Sequence, residues 1–170
     1  MPEFQMPDID PDLAAPLGQI IVRWSTLEYL VSMLLGTFLS ADQGGMMVIT
    51  NNIAVSVQSK WIRALMAAHE HEAEHNDRVI DLLTRADELR AVRNEFVHGI
   101  WNTEGCEPKT ALVETVNLDR TEIIKTLLVT PHDLNELVAD INDWVAEFVA
   151  LGRELGFPRH RGATKSIFAD

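Results

Sequence analysis

Basic residues are scarce in this sequence of 170 residues. It holds 14 Lys and Arg against 26 Asp and Glu, which gives a formal net charge of −12. A protein that grips nucleic acid through many phosphates normally presents a basic face. The composition therefore excludes a general polyanion binder. We expect any contact with nucleic acid to be confined to a few local basic residues or to depend on an assembled dimer.

Cysteine and long apolar segments are scarce as well. The single cysteine, Cys106, excludes an internal disulfide and is typical of a protein from a reducing cytoplasm. The longest apolar passage, residues 30–39, is interrupted by polar residues and is too short to cross a bilayer. Residues 1–16 are acidic and contain proline, unlike a signal peptide. We expect a cytoplasmic protein without membrane association, and we find no motif that calls for a cofactor.

Helical periodicity dominates the rest of the sequence. Apolar residues recur at helical intervals in four segments. The first starts at residue 11 or 16 and ends at 39, the second starts at 46 or 51 and ends at 68, and the other two span 77–98 and 130–155. Amphipathic helices joined mostly by short breaks favour antiparallel neighbours. The predicted fold is mainly α, an up-and-down four-helix bundle that forms one domain over residues 1–170. An acidic lead-in at 1–15 and a basic tail at 157–170 flank the bundle.

The periodicity changes between the third and fourth helices. Residues 110–116 and 121–129 alternate loosely and contain β-branched side chains, and the four residues between them are suited to close a hairpin. Thr130 and Pro131 then form a helix start, with a hydroxyl cap followed by proline at the first helical position. We predict a small β-hairpin excursion packed beside the bundle.

The most distinctive chemistry lies at residues 89–101, where the third helix ends. Arg93 projects from near the middle of the apolar side, and Arg90 lies within about 60° of it at the helical repeat. A desolvated guanidinium is costly unless it is paired, so both arginines need a carboxylate or an anionic ligand. Asn94 and His98 are four residues apart and stack on the adjoining edge. Together these four side chains form an anion-handling patch.

Gly99 is a plausible end for this helix and places His98 in its last turn. The helix dipole there favours the imidazolium form of the ring. Glu28 of the first helix lies inside an apolar stripe, and an unpaired buried charge is not tolerated. We predict a salt bridge from Glu28 to Arg93 or Arg90, directly or through one water. The pair either only fixes the register of the helices or orients an active arginine.

The residues Arg93-Asn94-Glu95-Phe96-Val97-His98 form the pattern R-N-x-x-x-H. This pattern resembles the motif of the HEPN superfamily, small helical-bundle proteins that include many metal-independent endoribonucleases of toxin–antitoxin and defence systems. The resemblance covers about residues 16–155 and is carried by 89–101. It implies that Arg93, Asn94 and His98 are catalytic, that RNA is the substrate, and that the protein is a homodimer with a composite cleft. An antitoxin or a nucleotidyltransferase is the partner it suggests.

The residue types suit RNA cleavage by attack of the 2′-hydroxyl. His98 suits acid–base catalysis near neutral pH, and Arg93 suits binding of the phosphate. Asn94 would orient His98 or a phosphate oxygen. Geometry adds Arg90, Glu28 and Trp101 as binding residues, with no metal in the site. One patch has a single histidine whereas the reaction needs an acid and a base, so two copies of His98 across a two-fold axis are expected.

Two other functions remain open. The HEPN superfamily also contains non-catalytic members, and the acidic charge favours a module that binds a nucleotide or a partner protein. Separately, residues 71–75 match the H-E-x-x-H zinc pattern through His71 and His75. Their acidic flanks and their position at an expected helix connection favour a solvated connector over adventitious zinc or nickel binding, and over a metal-dependent hydrolase.

Overall fold

A computed structural model of the chain describes residues 9–50, 53–68, 73–117 and 122–155. Within these ranges it has five helices and three strands. In chain order they are α1 (Pro11–Phe38), α2 (Gln43–Thr50), α3 (Val55–Ala68), α4 (Ala73–His98), β1 (Ile100–Asn102), β2 (Ala111–Asn117), β3 (Glu122–Val129) and α5 (Pro131–Glu154). The prediction of a mainly helical chain with a small β excursion before the last helix is confirmed.

The prediction of a single second helix is wrong, because the structure divides it into α2 and α3. The side chain of Met46 in α2 packs so closely on α1 that a Cβ added at Gly36 would lie 2.8 Å from Met46 Cγ. At the start of α3, Nε2 of Gln58 donates to the carbonyl of Ile53 at 2.8 Å and stabilises the break. Because α2 and α3 both pack on α1, their apolar stripe continues across this break.

The β excursion is a three-stranded antiparallel sheet in the order β1-β2-β3, and not the two-stranded hairpin that was predicted. The additional strand, β1, starts at Ile100 and pairs Trp101 with Val113 of β2. The passage from α4 into β1 requires glycine, because a Cβ at Gly99 would lie 2.3 Å from Val113 Cγ1 and 2.5 Å from the Glu95 carbonyl oxygen. The sheet therefore holds the end of α4 in place.

One apolar core joins α1, α3, α4 and α5 to the inner face of β2 and β3. Its largest fully buried side chain is that of Trp144 in α5. The Trp144 indole N–H donates to the carbonyl of Leu82 in α4 at 2.8 Å, and its ring stacks on Phe148 with centroids 5.1 Å apart. The helix that carries the motif is thus fixed against α5 by both packing and hydrogen bonding.

Ion pairs tie α4 to its neighbours on three sides. Asp87 contacts Arg63 of α3 at 3.3 Å, and Arg85 pairs with Glu147 of α5. Close to the end of the helix, Glu95 accepts from Lys125 Nζ of β3 at 2.7 Å. These contacts set the rotation of α4 about its axis and so determine which side of its last two turns stays open.

Candidate functional site

The last two turns of α4 bring together the three residues that are predicted to be catalytic. Nη1 of Arg93 donates to Oδ1 of Asn94 at 3.0 Å and lies 3.1 Å from Nε2 of His98. The side chains of Arg93 and Asn94 are half-buried, and that of His98 is exposed. One guanidinium nitrogen therefore connects the amide and the imidazole of the motif, and the imidazole is open to solvent.

The contact between Arg93 and His98 has one possible hydrogen-bond direction. A guanidinium has only N–H donors, so a hydrogen bond between these side chains requires Nε2 of His98 to accept. A ring nitrogen that can accept a proton suits a general base.

The guanidinium of Arg93 rests on an aromatic ring from α1. Its Cζ lies 5.8 Å from the centroid of Trp24, within the range of a cation–π interaction. Trp24 is buried, and its indole N–H donates to Oε1 of Glu28 at 2.8 Å. Sequence reasoning places Trp24 only in the apolar stripe of the first helix. The one signal for a further role is the glutamate one helical turn later, within reach of the indole N–H.

The predicted direct ion pair of Glu28 with Arg93 or Arg90 is wrong. Glu28 is exposed, and among the described residues its carboxylate bonds to Trp24 and to neither arginine. Glu28 lies at the border of the buried face of α1, so a small rotation of the helix brings its carboxylate to the surface. Glu28 and Arg93 instead contact the same indole, one at its N–H edge and the other at its face.

Arg90 lies beside the patch and faces Asp87, with Nε 3.7 Å from Oδ1. That distance is too long for a hydrogen bond, and the Nε atoms of Arg90 and Arg93 are both buried without a hydrogen-bond partner. Within the part of the chain that the structure describes, Arg93 also has no carboxylate at ion-pair distance. Buried donors and an uncompensated cation are costly, and an anion bound here would satisfy both.

Trp101, which is predicted to be a binding residue, has a role in the fold. Its indole N–H donates to the carbonyl of Phe96 at 2.8 Å, and its half-buried ring packs against the core. The bond satisfies one of the carbonyls that a helix leaves without a partner at its C-terminus. Trp101 therefore holds the last turn of α4, and with it the backbone of His98, while its N–H is not free for a ligand.

The H-E-x-x-H pattern lies partly outside the described residues, because His71 falls in the gap at 69–72. His75 lies near the start of α4, at the opposite end of that helix from the patch. Within the described ranges, no group of three or more His, Cys, Asp or Glu is arranged to hold a metal ion. The basic tail at 157–170 and the first eight residues of the acidic lead-in also lie outside the described residues.

Comparison with known proteins adds no relative to this picture. No family model, curated protein or solved structure matches the chain. A search of the described helices for one that is long and apolar enough to cross a membrane finds none. The resemblance to the HEPN superfamily therefore rests on the motif residues and on their geometry.

Proposed function

We propose that the chain is a HEPN-like, metal-independent endoribonuclease. The observation that carries the proposal is the contact of one Arg93 nitrogen with both Asn94 and His98. It joins the residues of R-N-x-x-x-H into a single cluster that offers positive charge and a proton acceptor. The lack of a carboxylate partner for Arg93 among the described residues supports the same conclusion, because a phosphate would supply the missing anion.

In the proposed reaction the 2′-hydroxyl oxygen bonds to phosphorus while the bond from phosphorus to the 5′-oxygen breaks. The products are a 2′,3′-cyclic phosphate and a free 5′-hydroxyl. As the fork of Arg93 turns from Nε2 of His98 to the phosphate, the lone pair of that nitrogen becomes free, and Nε2 takes the proton of the attacking hydroxyl as general base. The fork of Arg93 donates to the non-bridging oxygens, where negative charge grows in the transition state. Asn94, which accepts from Arg93, orients the guanidinium.

The leaving 5′-oxygen needs an acid, and one patch has one imidazole. We infer a homodimer in which two α4 ends face each other, so that a second His98 in its protonated form donates to the leaving oxygen. An isologous interface brings the same residues together automatically. Ile100, which is 57% exposed, can contribute apolar contact beside the patch. Phe96 does not contribute to this interface, because its ring is buried in the core of its own chain.

The same proposal covers the wider setting of the protein. The bundle that the resemblance implies would consist of α1, α3, α4 and α5, because α1 contacts each of the other three. The short α2 adds one reversal of the chain, so α3 would run in the same direction as α1.

A cytoplasmic location, and an antitoxin or nucleotidyltransferase that neutralises or modifies the enzyme, belong to the proposal as well.

Digestion of RNA by the purified protein tests the activity. The wild type is expected to cleave RNA with and without a chelator and to leave 2′,3′-cyclic phosphate ends, which mass spectrometry identifies. His98→Ala should abolish cleavage, and light scattering at micromolar concentration should give the mass of a dimer. Loss of activity with chelator alone, or full activity of His98→Ala, would remove the mechanism. A strict monomer would remove the composite site.

A non-catalytic binding module is the second candidate, and the net charge of −12 favours it. In that case the uncompensated cation of Arg93 would bind a nucleotide phosphate without turnover. Titration calorimetry with nucleoside monophosphates separates the two candidates. Binding that depends on Arg93, together with intact RNA after prolonged incubation, identifies the module.

A further inference from the structure

An open cleft of about 780 Å³ lies between α1 and the turn of chain that contains α2 and the start of α3. Glu28 and Tyr29 line it from α1, Met47 lines it from α2, and Gln58 lines it from α3. Glu28 is also the residue that accepts from Trp24, whose ring carries the guanidinium of Arg93. Glu28, a lining residue of the cleft, is therefore bonded to the same indole on which the proposed phosphate site rests.

The walls of this cleft suit a flat aromatic ligand. Tyr29 and Met47 are 39% and 58% exposed, so an aromatic ring and a polarisable thioether both face the solvent. Nucleic-acid bases that are splayed out of a strand stack on aromatic side chains, and methionine adapts its shape to such surfaces. The volume also falls in the usual range of small-molecule sites, roughly 300–1,000 Å³.

The floor of the cleft is fixed before any ligand arrives. Gln58 is only 2% exposed. Its Oε1 accepts from the Ser32 hydroxyl at 2.9 Å, and its Nε2 donates to the Ile53 carbonyl at 2.8 Å. A preformed cavity costs little ordering when a ligand binds. The cleft is thus a built feature of the junction between α1 and α3.

Glu28 supplies the acceptor that selects the ligand. Glu28 lines the cleft. The Trp24 N–H takes one lone pair of Oε1, and a carboxylate has further lone pairs that can accept from a ligand. Among the described residues no cation pairs with Glu28. The Watson–Crick edge of guanine carries two adjacent N–H donors, whereas adenine and cytosine each set one donor beside an acceptor, and uracil sets its donor between two carbonyls.

We propose that this cleft binds a guanine base of RNA and that Glu28 determines the specificity. The Trp24 indole holds the Glu28 carboxylate at its edge and Arg93 on its face, so a base at Glu28 and a phosphate at Arg93 belong to one nucleotide or to adjacent ones. Cleavage then falls next to a guanosine. Only this last step rests on the proposed ribonuclease function, because binding of the base does not require turnover.

Binding is tested first, by calorimetric titration of the full chain with the 3′-monophosphates of guanosine, inosine, adenosine, cytidine and uridine. Guanosine should bind tightest, and inosine, which lacks the 2-amino group, should bind more weakly. Glu28→Gln keeps an oxygen that can accept from Trp24 but loses one acceptor, so it should lower the affinity for guanosine roughly 10-fold or more, the discrimination of one bidentate pair. Its melting temperature should equal that of the wild type, because Glu28 is exposed.

Cleavage is tested next, with RNA oligonucleotides that contain every dinucleotide, for the wild type, Glu28→Gln and the matched control Glu88→Gln. Glu88 is an exposed carboxylate on the other side of α4, and its replacement should leave the base preference unchanged. The proposal is supported if the wild type cleaves next to guanosine and Glu28→Gln weakens this base preference. Cleavage without base preference overturns the guanine cleft and leaves the ribonuclease intact. Guanosine-selective binding that depends on Glu28, without cleavage, supports the cleft and removes the ribonuclease, whereas equal affinity for all five nucleotides overturns the cleft.

Discussion

The two sides of the C-terminal half of α4 carry opposite charges. One side holds the patch of Arg93, Asn94 and His98. The other side faces α5 across a groove of about 490 Å³ with an apolar floor. Its acidic rim consists of Glu88, Asp133, Glu136, Asp140 and Asp143. The net charge of −12 is therefore not spread evenly around this helix, and the acidic groove would direct an approaching polyanion towards the opposite side.

Two arginines on α4, one on each side, differ in whether a carboxylate pairs with them. Arg85, beside the acidic groove, pairs with Glu147 and with Asp81, and the hydrogen bond that it donates to Glu147 raises the pKa of the guanidinium. Arg93, about two turns later, contacts Trp24, Asn94 and His98 and has no carboxylate among the described residues. Unlike the charge of Arg85, the charge of Arg93 therefore remains available for a ligand.

Most bounds of the long helices could be predicted because their signals are local. The apolar stripe of α1, the stop at Gly99 and the cap at Thr130 each lie in or directly beside the helix that they define. The start of α4 was missed, because the helix begins at Ala73 and not at residue 77. The missed strand β1 depends on the pairing of Trp101 with Val113, a contact that no local pattern encodes.

The same distinction between local signals and contacts of distant residues applies to the patch. The cluster of Arg93, Asn94 and His98 could be predicted because it lies within two turns of one helix. The support from Trp24 and the position of Glu28 could not, because a contact between two helices depends on how each is rotated about its axis. At the border of a stripe, a small rotation decides whether a carboxylate is buried or exposed, and a regular helical repeat does not resolve it.

The largest expected effect is on RNA cleavage, which replacement of Arg93 should impair and replacement of Arg85 should not. Arg93→Ala should lower kcat/KM for RNA cleavage by about 10²–10³-fold, the usual loss when a donor to the transition-state oxyanion is removed. Arg85→Ala, the matched control on the same helix, should leave kcat/KM unchanged. Initial rates with a labelled oligonucleotide measure both. Equal losses in the two variants would show that Arg93 acts only through the stability of the helix.

A second prediction concerns the stability of the acidic side. Thr130 and Asp133 form a capping box at the start of α5, and the hydrogen bond from Thr130 holds the pKa of the Asp133 carboxyl below its usual value. Thr130→Ala should lower the free energy of unfolding at pH 7 by about 1 kcal/mol without changing RNA cleavage. Urea denaturation followed by circular dichroism measures the difference.

The pH dependence of that difference has a definite sign. A carboxyl whose pKa is depressed in the folded state contributes stability above its unfolded pKa of about 3.9 and loses it as the pH falls through the folded pKa. The gap between wild type and Thr130→Ala should therefore be largest near neutral pH and shrink below about pH 4. A gap that stays constant down to pH 2 would contradict the assignment to the Asp133 carboxylate.

A third prediction concerns the free energy of the Arg85 ion pairs. The Arg85, Asp81 and Glu147 side chains are largely solvent-accessible, and pairs of this kind contribute about 0.2–1 kcal/mol. Arg85→Ala should lower the free energy of unfolding by an amount in that range, and added salt should reduce the difference because it screens exposed charges. A loss of several kcal/mol would show that the link between α4 and α5 carries more of the fold than its exposure indicates.

The smallest expected effect is the change in RNA cleavage when carboxylates of the acidic groove are replaced. Asp140 and Asp143 lie on α5, across the groove from α4 and on the other side of α4 from the patch. At least the width of one helix, roughly 10 Å, therefore separates them from the patch. The Debye length is about 8 Å at physiological ionic strength and about 30 Å at 0.01 M salt. Replacing both residues by Asn should therefore raise kcat/KM for RNA several-fold at low salt and by less than about twofold at 0.15 M. A rise in kcat/KM that persists at 0.15 M salt would mean that RNA contacts the groove directly. The acidic side would then be part of the RNA-binding surface and would not act only by long-range repulsion of RNA.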